Sequence, residues 1–389
     1  MQSKGLPTNP WYPLSISAVD FFVSFSISEP IALKNTSIFL IIFLLVTGCE
    51  LSSSLDDENV VAGVNLTEVF AEPTDGEIQA VLGEWASRLA AATNVSVVKT
   101  EAISLNGKAA TVRIVSHDVG GVTHYGAVVS ADNLSPGSTP VLVYSHGGDS
   151  GVSVDNEFLL LTSLFADISD RFVYVIPSFR DETLDFQGIE WQSDGPASPW
   201  DWDVDDALSL IEVAKEVEPG ADGERIAVLG FSRGAGVGML MSARDARIDG
   251  VLDFFGPTDF FGPFVQDVTV EILEGNPRIL PGLDFLSEEF VLPYRDGLIS
   301  LERIRGELVR RSAVIFADRI ARLQIHHGLE DSVVPVSQAE RMIVAMQQAG
   351  RVSPSFDSFL YEGGEHNPFT LEGSFPRAKQ FLLEFESGR

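Results

Sequence analysis

Short apolar runs rich in β-branched residues alternate with helical stretches over the second half of the chain. Beyond Pro140 the strand candidates are VLVYS (141–145), FVYVI (172–176), RIAVLG (225–230), GVLDFF (250–255), LQIHH (323–327) and FDSFLY (356–361). One face of a predicted helix between two of them carries Val204, Ala207, Leu208, Ile211 and Ala214. Strands that alternate with helices in this way are typical of βαβ units and a parallel sheet.

The pattern before Pro140 is different, because one helix and three extended segments lie there. From Asp75 onward apolar residues recur at helical spacing, namely Ile78, Val81, Leu82, Trp85 and Leu89. The extended segments cover residues 96–103, 110–116 and 122–130, with turn signals such as Asn106-Gly107 between them. We expect these segments to form antiparallel strands at the edge of the sheet.

Two features complete the predicted domain. Residues 256–320 are rich in Phe, Leu and Pro and connect two strands, and this unusual length predicts a small cap over the sheet. Ser337 and Glu340 predict a capping box that opens a helix ending at Gly350. The pattern therefore predicts one α/β domain over residues 75–389, with a mostly parallel central sheet, antiparallel N-terminal strands and helices on both faces.

The longest apolar run near the N-terminus is Ile38–Val46, which is short for a membrane span and precedes the single cysteine, Cys49. The stretch LVTGC resembles a bacterial lipoprotein box, in which the cysteine receives lipid after the leader is cleaved. A buried core cysteine is the alternative. We expect residues 1–48 to comprise an upstream extension and a lipoprotein signal peptide, followed by an acidic, Ser-rich tether over residues 49–74.

Residues 1–32 do not have the layout of a signal peptide, which should begin with a short basic segment. If Leu33 is read as the start codon, the leader begins M-K-N-T-S and Lys34 supplies the basic residue. We therefore expect translation to begin at Leu33. The mature protein is then exported and anchored by lipid on Cys49 to a bacterial membrane, on its periplasmic or cell-surface face.

Composition limits the classes of partner. The chain of 389 residues carries a formal net charge of −30, and 45% of its residues are hydrophobic. A charge of this sign argues against nucleic-acid binding, because a basic face is needed to neutralise phosphates. The hydrophobic content is enough for a full core.

The segment Gly230-Phe231-Ser232-Arg233-Gly234 follows the predicted strand RIAVL and precedes a helix of small residues, AGVGMLMSA. The five letters alone occur often by chance, but a strand before and a helix after are the context of a nucleophile elbow. In such an elbow the serine sits on a tight turn, and flanking glycines remove side chains that would clash there. We interpret Ser232 as a catalytic nucleophile.

A serine hydroxyl needs an imidazole to take its proton and a carboxylate to fix the tautomer of that imidazole. Asp331 follows the strand LQIHH, and His366 follows the last strand. Both positions are at carboxyl ends of strands, where open α/β sheets gather their active-site groups. Rival acids are Glu330, beside Asp331, and the pair that follows another strand, Asp253 and Asp259.

The other histidines fit structural roles better. We expect His117 and His124 to lie on the surface or in a hairpin, and His326 and His327 to be core or loop-bracing residues. No third ligand is suitably spaced for zinc, so neither a metal nor a cofactor is predicted. His146 precedes Gly147-Gly148 and is expected to shape a loop.

That loop follows the strand VLVYS, where an oxyanion hole can be built. The backbone N–H groups of Gly148 and Arg233 are the predicted donors, and an ordinary glycine turn is the alternative. Trp191, Trp200 and Trp202, together with Phe186, could bind an apolar or sugar substrate or could pack against the cap. Arg180 is expected to brace Asp205 or Asp206.

From about residue 110 to its end the chain resembles the α/β-hydrolase superfamily, and within it the prolyl oligopeptidase and dienelactone hydrolase-like branch. The matching segments are VLVYSHGG, VLGFSRGAG, LQIHHGLEDSVVP and YEGGEHNPF, in this order. The sequence departs from the branch at Ala235, where glycine is usual, and at Arg322, where proline is usual. The resemblance implies the α/β-hydrolase fold and a triad of Ser232, Asp331 and His366.

Three functions are compatible with these residues. The first is a serine hydrolase that cleaves a small carboxylic ester through an acyl-enzyme intermediate. The second is an exopeptidase or small-peptide hydrolase with the same triad, which the lack of a preceding β-propeller makes the weaker hypothesis. The third is a surface lipoprotein that uses the fold only to bind a ligand or partner. The sequence leaves the oligomeric state open.

Overall fold

The computed structural model describes residues 59–88 and 91–388. The predicted leader, the start at Leu33, Cys49 and the first part of the tether lie outside the described residues, as does Leu89. Over the described residues no helix is both long enough and apolar enough to cross a membrane.

Most strands of the described residues join one sheet of nine. The strands are β1 (Val60–Val61), β2 (Val64–Asn65), β3 (Thr93–Leu105), β4 (Lys108–Val119), β5 (Val122–Ala131), β6 (Thr139–Ser145), β7 (Val152–Ser153), β8 (Val173–Pro177), β9 (Thr183–Phe186), β10 (Ile189–Gln192), β11 (Ala221–Phe231), β12 (Ile248–Phe254), β13 (Leu323–Gly328) and β14 (Phe356–Tyr361). In the large sheet the order is β14-β13-β12-β11-β6-β8-β5-β4-β3. The pairs from β14 to β8 are parallel and those from β8 to β3 are antiparallel, which confirms the predicted sheet.

Helices cover both faces of this sheet. They are α1 (Leu66–Val69), α2 (Asp75–Ser87), α3 (Leu159–Thr162), α4 (Trp202–Val217), α5 (Arg233–Arg244), α6 (Pro263–Leu273), α7 (Leu283–Leu286), α8 (Leu292–Arg295), α9 (Leu301–Arg311), α10 (Ser337–Gln348) and α11 (Ser374–Glu386). Successive residues of β6 serve two cores: Val141 and Val143 pack with α4 and α5, whereas Leu142 and Tyr144 pack with α3 and α11. This alternation follows from the two-residue period of a strand.

Residues 256–320 form a helical insertion between β12 and β13 that contains α6 to α9. Its helix α9 lies against α2, because Arg305 donates to both carboxylate oxygens of Glu77, at 2.5 and 2.9 Å. Arg310 likewise donates to both oxygens of Glu84, at 2.8 Å each. Helix α2 is thus held to the cap by two bidentate ion pairs.

Residues 59–74 differ from the predicted tether. They contain β1, β2 and α1, and the side chains of Val64, Leu66 and Val69 are buried in the same core as α4 and α5. Apolar residues in an otherwise acidic segment, too short to show a period, explain why the sequence pattern missed this packing. The folded part of the chain therefore begins before Asp75.

The predicted capping box at Ser337 and Glu340 is wrong. Helix α10 is preceded by Val336, whose φ of −54° and ψ of −22° are already helical, and no side chain caps the helix. A capping side chain needs an extended backbone at the N-cap, and here the chain turns into the helix directly after Pro335. The helix ends as predicted, with Gly350 in the left-handed region at φ +72°.

Candidate active site

Ser232 occupies the single residue between β11 and α5. Its φ is +50° and its ψ is −121°, a conformation that L-residues adopt only under strain. Its backbone N–H donates to the carbonyl oxygen of Phe254 at 2.8 Å, which ties the bend to β12. A Cβ at Gly234 would lie 2.0 Å from the carbonyl oxygen of Ser145, so only glycine permits this approach of α5 to β6.

The three residues of the predicted triad come together. The distance from His366 Nε2 to Ser232 Oγ is 3.0 Å, and the distance from His366 Nδ1 to Asp331 Oδ2 is 2.7 Å. Asp331 Oδ1 accepts the backbone N–H groups of Val333 and Val334, each at 2.9 Å. Because an ionised carboxylate can only accept, Nδ1 of His366 carries the proton and Nε2 is left as a base facing the hydroxyl.

An aromatic residue that the sequence analysis did not single out packs on this base. The ring of Phe255 lies with its centroid 4.3 Å from that of His366. Phe255 has a φ of +49°, immediately after β12, and this strained backbone turns its side chain toward the site. The Asp331 side chain is fully buried, whereas that of His366 is 14% exposed. The imidazole of His366 is therefore mostly covered by protein, but part of it is accessible to a substrate.

The predicted oxyanion loop lies against the elbow. A Cβ at Gly147 would be 3.2 Å from the Cβ of Ser232, so the backbone of the loop passes directly beside the nucleophile. Gly148 adopts a φ of +75° and its carbonyl oxygen accepts from Arg233 Nη1 at 3.1 Å. The N–H of Arg233 is the first of α5, and the first N–H of a helix has no carbonyl oxygen four residues before it within the helix.

The side chain of Arg233 is buried under this loop, although the sequence analysis assigned a role only to its backbone. Its Nε and Nη2 donate to the two oxygens of Asp203 at 2.8 Å each, and Nη1 also donates to Glu182 Oε1. The partners come from the start of α4 and from the segment before β9. Together with the carbonyl oxygen of Gly148, these contacts join three chain segments to the elbow: the oxyanion loop, the segment before β9 and the start of α4.

The rival acids are placed elsewhere. Glu330 is exposed. Asp259 pairs with Arg341 and accepts the N–H of Phe261 at 2.8 Å. Asp253 is fully buried, accepts the N–H of Gly256 at 2.8 Å, and has its pKa raised to about 7 by burial. Of the four acids, Asp331 is the one that contacts His366.

The remaining histidines have structural contacts. His326 Nδ1 lies 2.7 Å from the hydroxyl of Tyr361, and His327 Nε2 donates to the carbonyl oxygen of Val334 at 2.8 Å, bracing the loop that carries Asp331. His117 and His124 lie opposite each other in the hairpin of β4 and β5, which was one of the two predicted positions, but both are fully buried and neither is on the surface. Among the described residues no cluster of His, Cys, Asp or Glu could hold a metal ion.

The predicted aromatic substrate residues are largely structural. Trp200 is buried against Phe260, and Trp191 lies on β10, which forms a short hairpin with β9. Trp202 is held between the guanidinium groups of Arg88 and Arg180, at 4.5 and 4.0 Å from its ring centroid. Phe186 is also buried. Arg180 donates to Asp206 at 3.1 Å, the brace that was expected.

A polar cavity of about 720 Å³ opens next to the oxyanion loop and beneath the cap. Its lining includes Asp149 of the oxyanion loop, Arg233 directly after Ser232, and Trp202. The far side is formed by cap residues of α9 and of the turn after α7. Charged and hydrogen-bonding groups of both signs therefore line the cavity next to the oxyanion loop.

Comparisons with known proteins give structural matches only. No protein-family model matches the chain, and no curated protein matches it either. The acetyl xylan esterase from Paenibacillus sp. R4 has a TM-score of 0.56 at 18% identity, covering 84% of this chain and 99% of that one. Acetyl xylan esterase 1 from Thermoanaerobacterium sp. JW/SL YS485 has a TM-score of 0.53 at 17% identity, covering 80% and 93%. This likeness shows that the chain has the α/β-hydrolase fold.

Proposed function

We propose that this protein is a serine hydrolase that cleaves a small carboxylic ester through an acyl-enzyme intermediate. The observation that carries the proposal is the unbroken hydrogen-bonded chain from Asp331 through His366 to Ser232. The nucleophile of this chain stands on a strained bend between a strand and a helix, where the following helix directs its positive end at the hydroxyl.

The chemistry follows from these contacts. Ser232 Oγ attacks the ester carbonyl carbon while His366 Nε2 takes its proton, and the imidazolium is stabilised by the buried carboxylate of Asp331. The N–H groups of Gly148 and Arg233 would face the negative oxygen of the tetrahedral intermediate. His366 then gives its proton to the leaving alcohol. A water molecule, activated by the same imidazole, hydrolyses the acyl group from Ser232 and restores the serine.

Two arguments favour an ester of a small acid. Both structural matches described above bear the name of acetyl xylan esterases, enzymes that by name remove acetyl groups from a polymer of sugars. The cavity beside the oxyanion loop is lined by polar and charged groups, which suit a hydroxyl-bearing leaving group better than an extended acyl chain.

The first experiment compares ester and amide substrates. We expect p-nitrophenyl acetate and butyrate to be hydrolysed faster than aminoacyl p-nitroanilides, and a fluorophosphonate probe to label Ser232. Rates should be measured with the same enzyme preparation at pH 7 to 8, before and after probe treatment. An amide rate well above the ester rate would favour the exopeptidase instead. Absence of both labelling and turnover would favour a protein that only binds a ligand.

We also propose that the enzyme works outside the cytoplasm, held to a bacterial membrane by lipid on Cys49. The support is the apolar run Ile38–Val46 followed by LVTGC. In a bacterial host fed an alkyne-labelled fatty acid, the wild-type protein should carry the label, and C49S should lose it and leave the membrane fraction. Equal membrane recovery of both proteins without label on either would contradict the anchor.

A further inference from the structure

Two buried acceptors face each other behind the oxyanion loop. His146 Nε2 lies 3.4 Å from Glu182 Oε2, and neither atom has a hydrogen-bond partner among the described residues. The two side chains are 0% and 3% exposed, so solvent does not reach the gap. A buried polar atom without a hydrogen bond destabilises the folded state, and here the penalty would apply to both atoms.

The contacts of the other two polar atoms, His146 Nδ1 and Glu182 Oε1, show that a proton is needed between Nε2 and Oε2. His146 Nδ1 is 3.0 Å from the carbonyl oxygen of Gly147, which can only accept, so Nδ1 carries a proton. A neutral ring therefore presents a lone pair at Nε2. The other oxygen of the carboxyl, Glu182 Oε1, accepts from Arg233. One additional proton between Nε2 and Oε2 converts a repulsive contact into a hydrogen bond.

We propose that Glu182 holds this proton and donates it to His146, and that the resulting link is a pH-sensitive brace that fixes the oxyanion loop beside Ser232. The inference rests on the proposed function, since it assigns regulation to the same site. Glu182 is a positioning residue here, because it acts on the oxyanion loop through His146 and Arg233 and does not reach the reacting atoms itself.

The surrounding charges favour the protonated carboxyl. Arg233 already forms a bidentate pair with Asp203 from α4, so an ionised Glu182 would add an excess negative charge to a dry site. Asp149, from the oxyanion loop itself, adds to that repulsion. Burial raises the pKa of Glu182 to about 7 and lowers the pKa of His146. Glu157 also acts on His146, where its negative charge would raise the pKa of the imidazole, but burial raises the pKa of Glu157 itself and the hydroxyl of Tyr144 donates to it.

The brace connects both halves of the predicted oxyanion hole. Arg233 supplies one predicted N–H, and its guanidinium holds both Glu182 and the carbonyl oxygen of Gly148. His146 is bonded to Gly147, the residue that passes beside the Cβ of Ser232. Loss of the shared proton at higher pH would leave His146 facing a carboxylate with no hydrogen between them, and the loop would shift away from the bend.

The test uses E182Q and E182A with p-nitrophenyl acetate from pH 5 to 10, and E190Q as a matched control on exposed β10. A glutamine amide copies the protonated acid, because its oxygen accepts from Arg233 while its nitrogen donates to His146 at every pH. We expect E182A to lose about 10- to 100-fold in kcat/KM. The wild-type rate should fall above neutrality, whereas E182Q should keep most of the neutral-pH rate without that fall.

Two results would overturn the proposal. One is E182Q as impaired as E182A, which would mean that the charge and not the proton matters. The other is the same alkaline fall in wild type and E182Q. The ¹⁵N shift of His146 Nε2, read in histidine-labelled wild type, gives an answer without activity or a stable E182A protein: it should change over the pH range of the rate loss, and a constant shift would contradict the brace. If the wild type had no esterase activity, the proposed function would be wrong, but the NMR measurement would still test the proton between Glu182 and His146.

Discussion

Ser232→Ala is expected to lower kcat/KM for p-nitrophenyl acetate by about 10⁴-fold or more. The substitution removes the atom that is hydrogen-bonded to His366, namely Oγ at 3.0 Å from Nε2. Among the described residues no other hydroxyl is hydrogen-bonded to that nitrogen, so no replacement nucleophile is in place. What remains is binding and oxyanion stabilisation acting on attack by water, which sustains a much slower reaction.

The fold should not be affected by this change. Alanine keeps the Cβ and the backbone N–H that donates to Phe254, so the strained bend loses none of its supporting contacts. We expect the melting temperature to stay within about 2 °C of the wild type, as for a substitution that makes no cavity. The measurements are steady-state kinetics, thermal unfolding and fluorophosphonate labelling on the same samples.

Ser150→Ala is the matched control, because Ser150 is an exposed serine in the oxyanion loop. It should keep wild-type activity and labelling. If S232A turned over the ester at the wild-type rate, or if the probe still labelled the variant, Ser232 would not be the nucleophile and the proposed mechanism would be lost.

The central strands and the bend could be predicted because their signals are local. A buried parallel strand is a short apolar run, and RIAVLG, VLVYS and LQIHH each stand almost unchanged within β11, β6 and β13. Ser232, Asp331 and His366 follow the ends of three strands that belong to the parallel part of the large sheet. Their convergence therefore follows from topology rather than from any feature of the residues themselves.

The features that escaped prediction depend on contacts between distant segments. Glu182 and Asp203 are unremarkable acids in an acidic chain until the fold places both around the guanidinium of Arg233. His117 and His124 face the interior because of the register between β4 and β5, which the alternation of small and polar residues there does not fix. The tertiary packing of residues 59–74 likewise leaves no periodic trace in so short a segment.

The two oxygens of Asp331 have different hydrogen-bond partners, and this difference predicts a second large loss of activity. Asp331→Asn is expected to lower kcat/KM about 10³- to 10⁴-fold with little change in stability. The oxygen Oδ1 receives two backbone N–H groups, from Val333 and Val334, at 2.9 Å each. In the variant the amide oxygen must take this position, because an NH₂ group there would face two donors. The NH₂ group is then directed at His366.

His366 responds to this donor by a change of tautomer. Its Nδ1, 2.7 Å from the second side-chain atom of residue 331, must now accept, so the ring proton moves to Nε2. A protonated Nε2 faces Ser232 as a donor and cannot take the hydroxyl proton, although all three side chains stay in place. Glu330→Gln, a neighbouring exposed acid considered as a rival, makes the same chemical change without reaching the imidazole and should remain fully active. The two variants are compared by ester kinetics and thermal unfolding, and equal activity of D331N and E330Q would mean that the carboxylate of Asp331 does not set the state of the base.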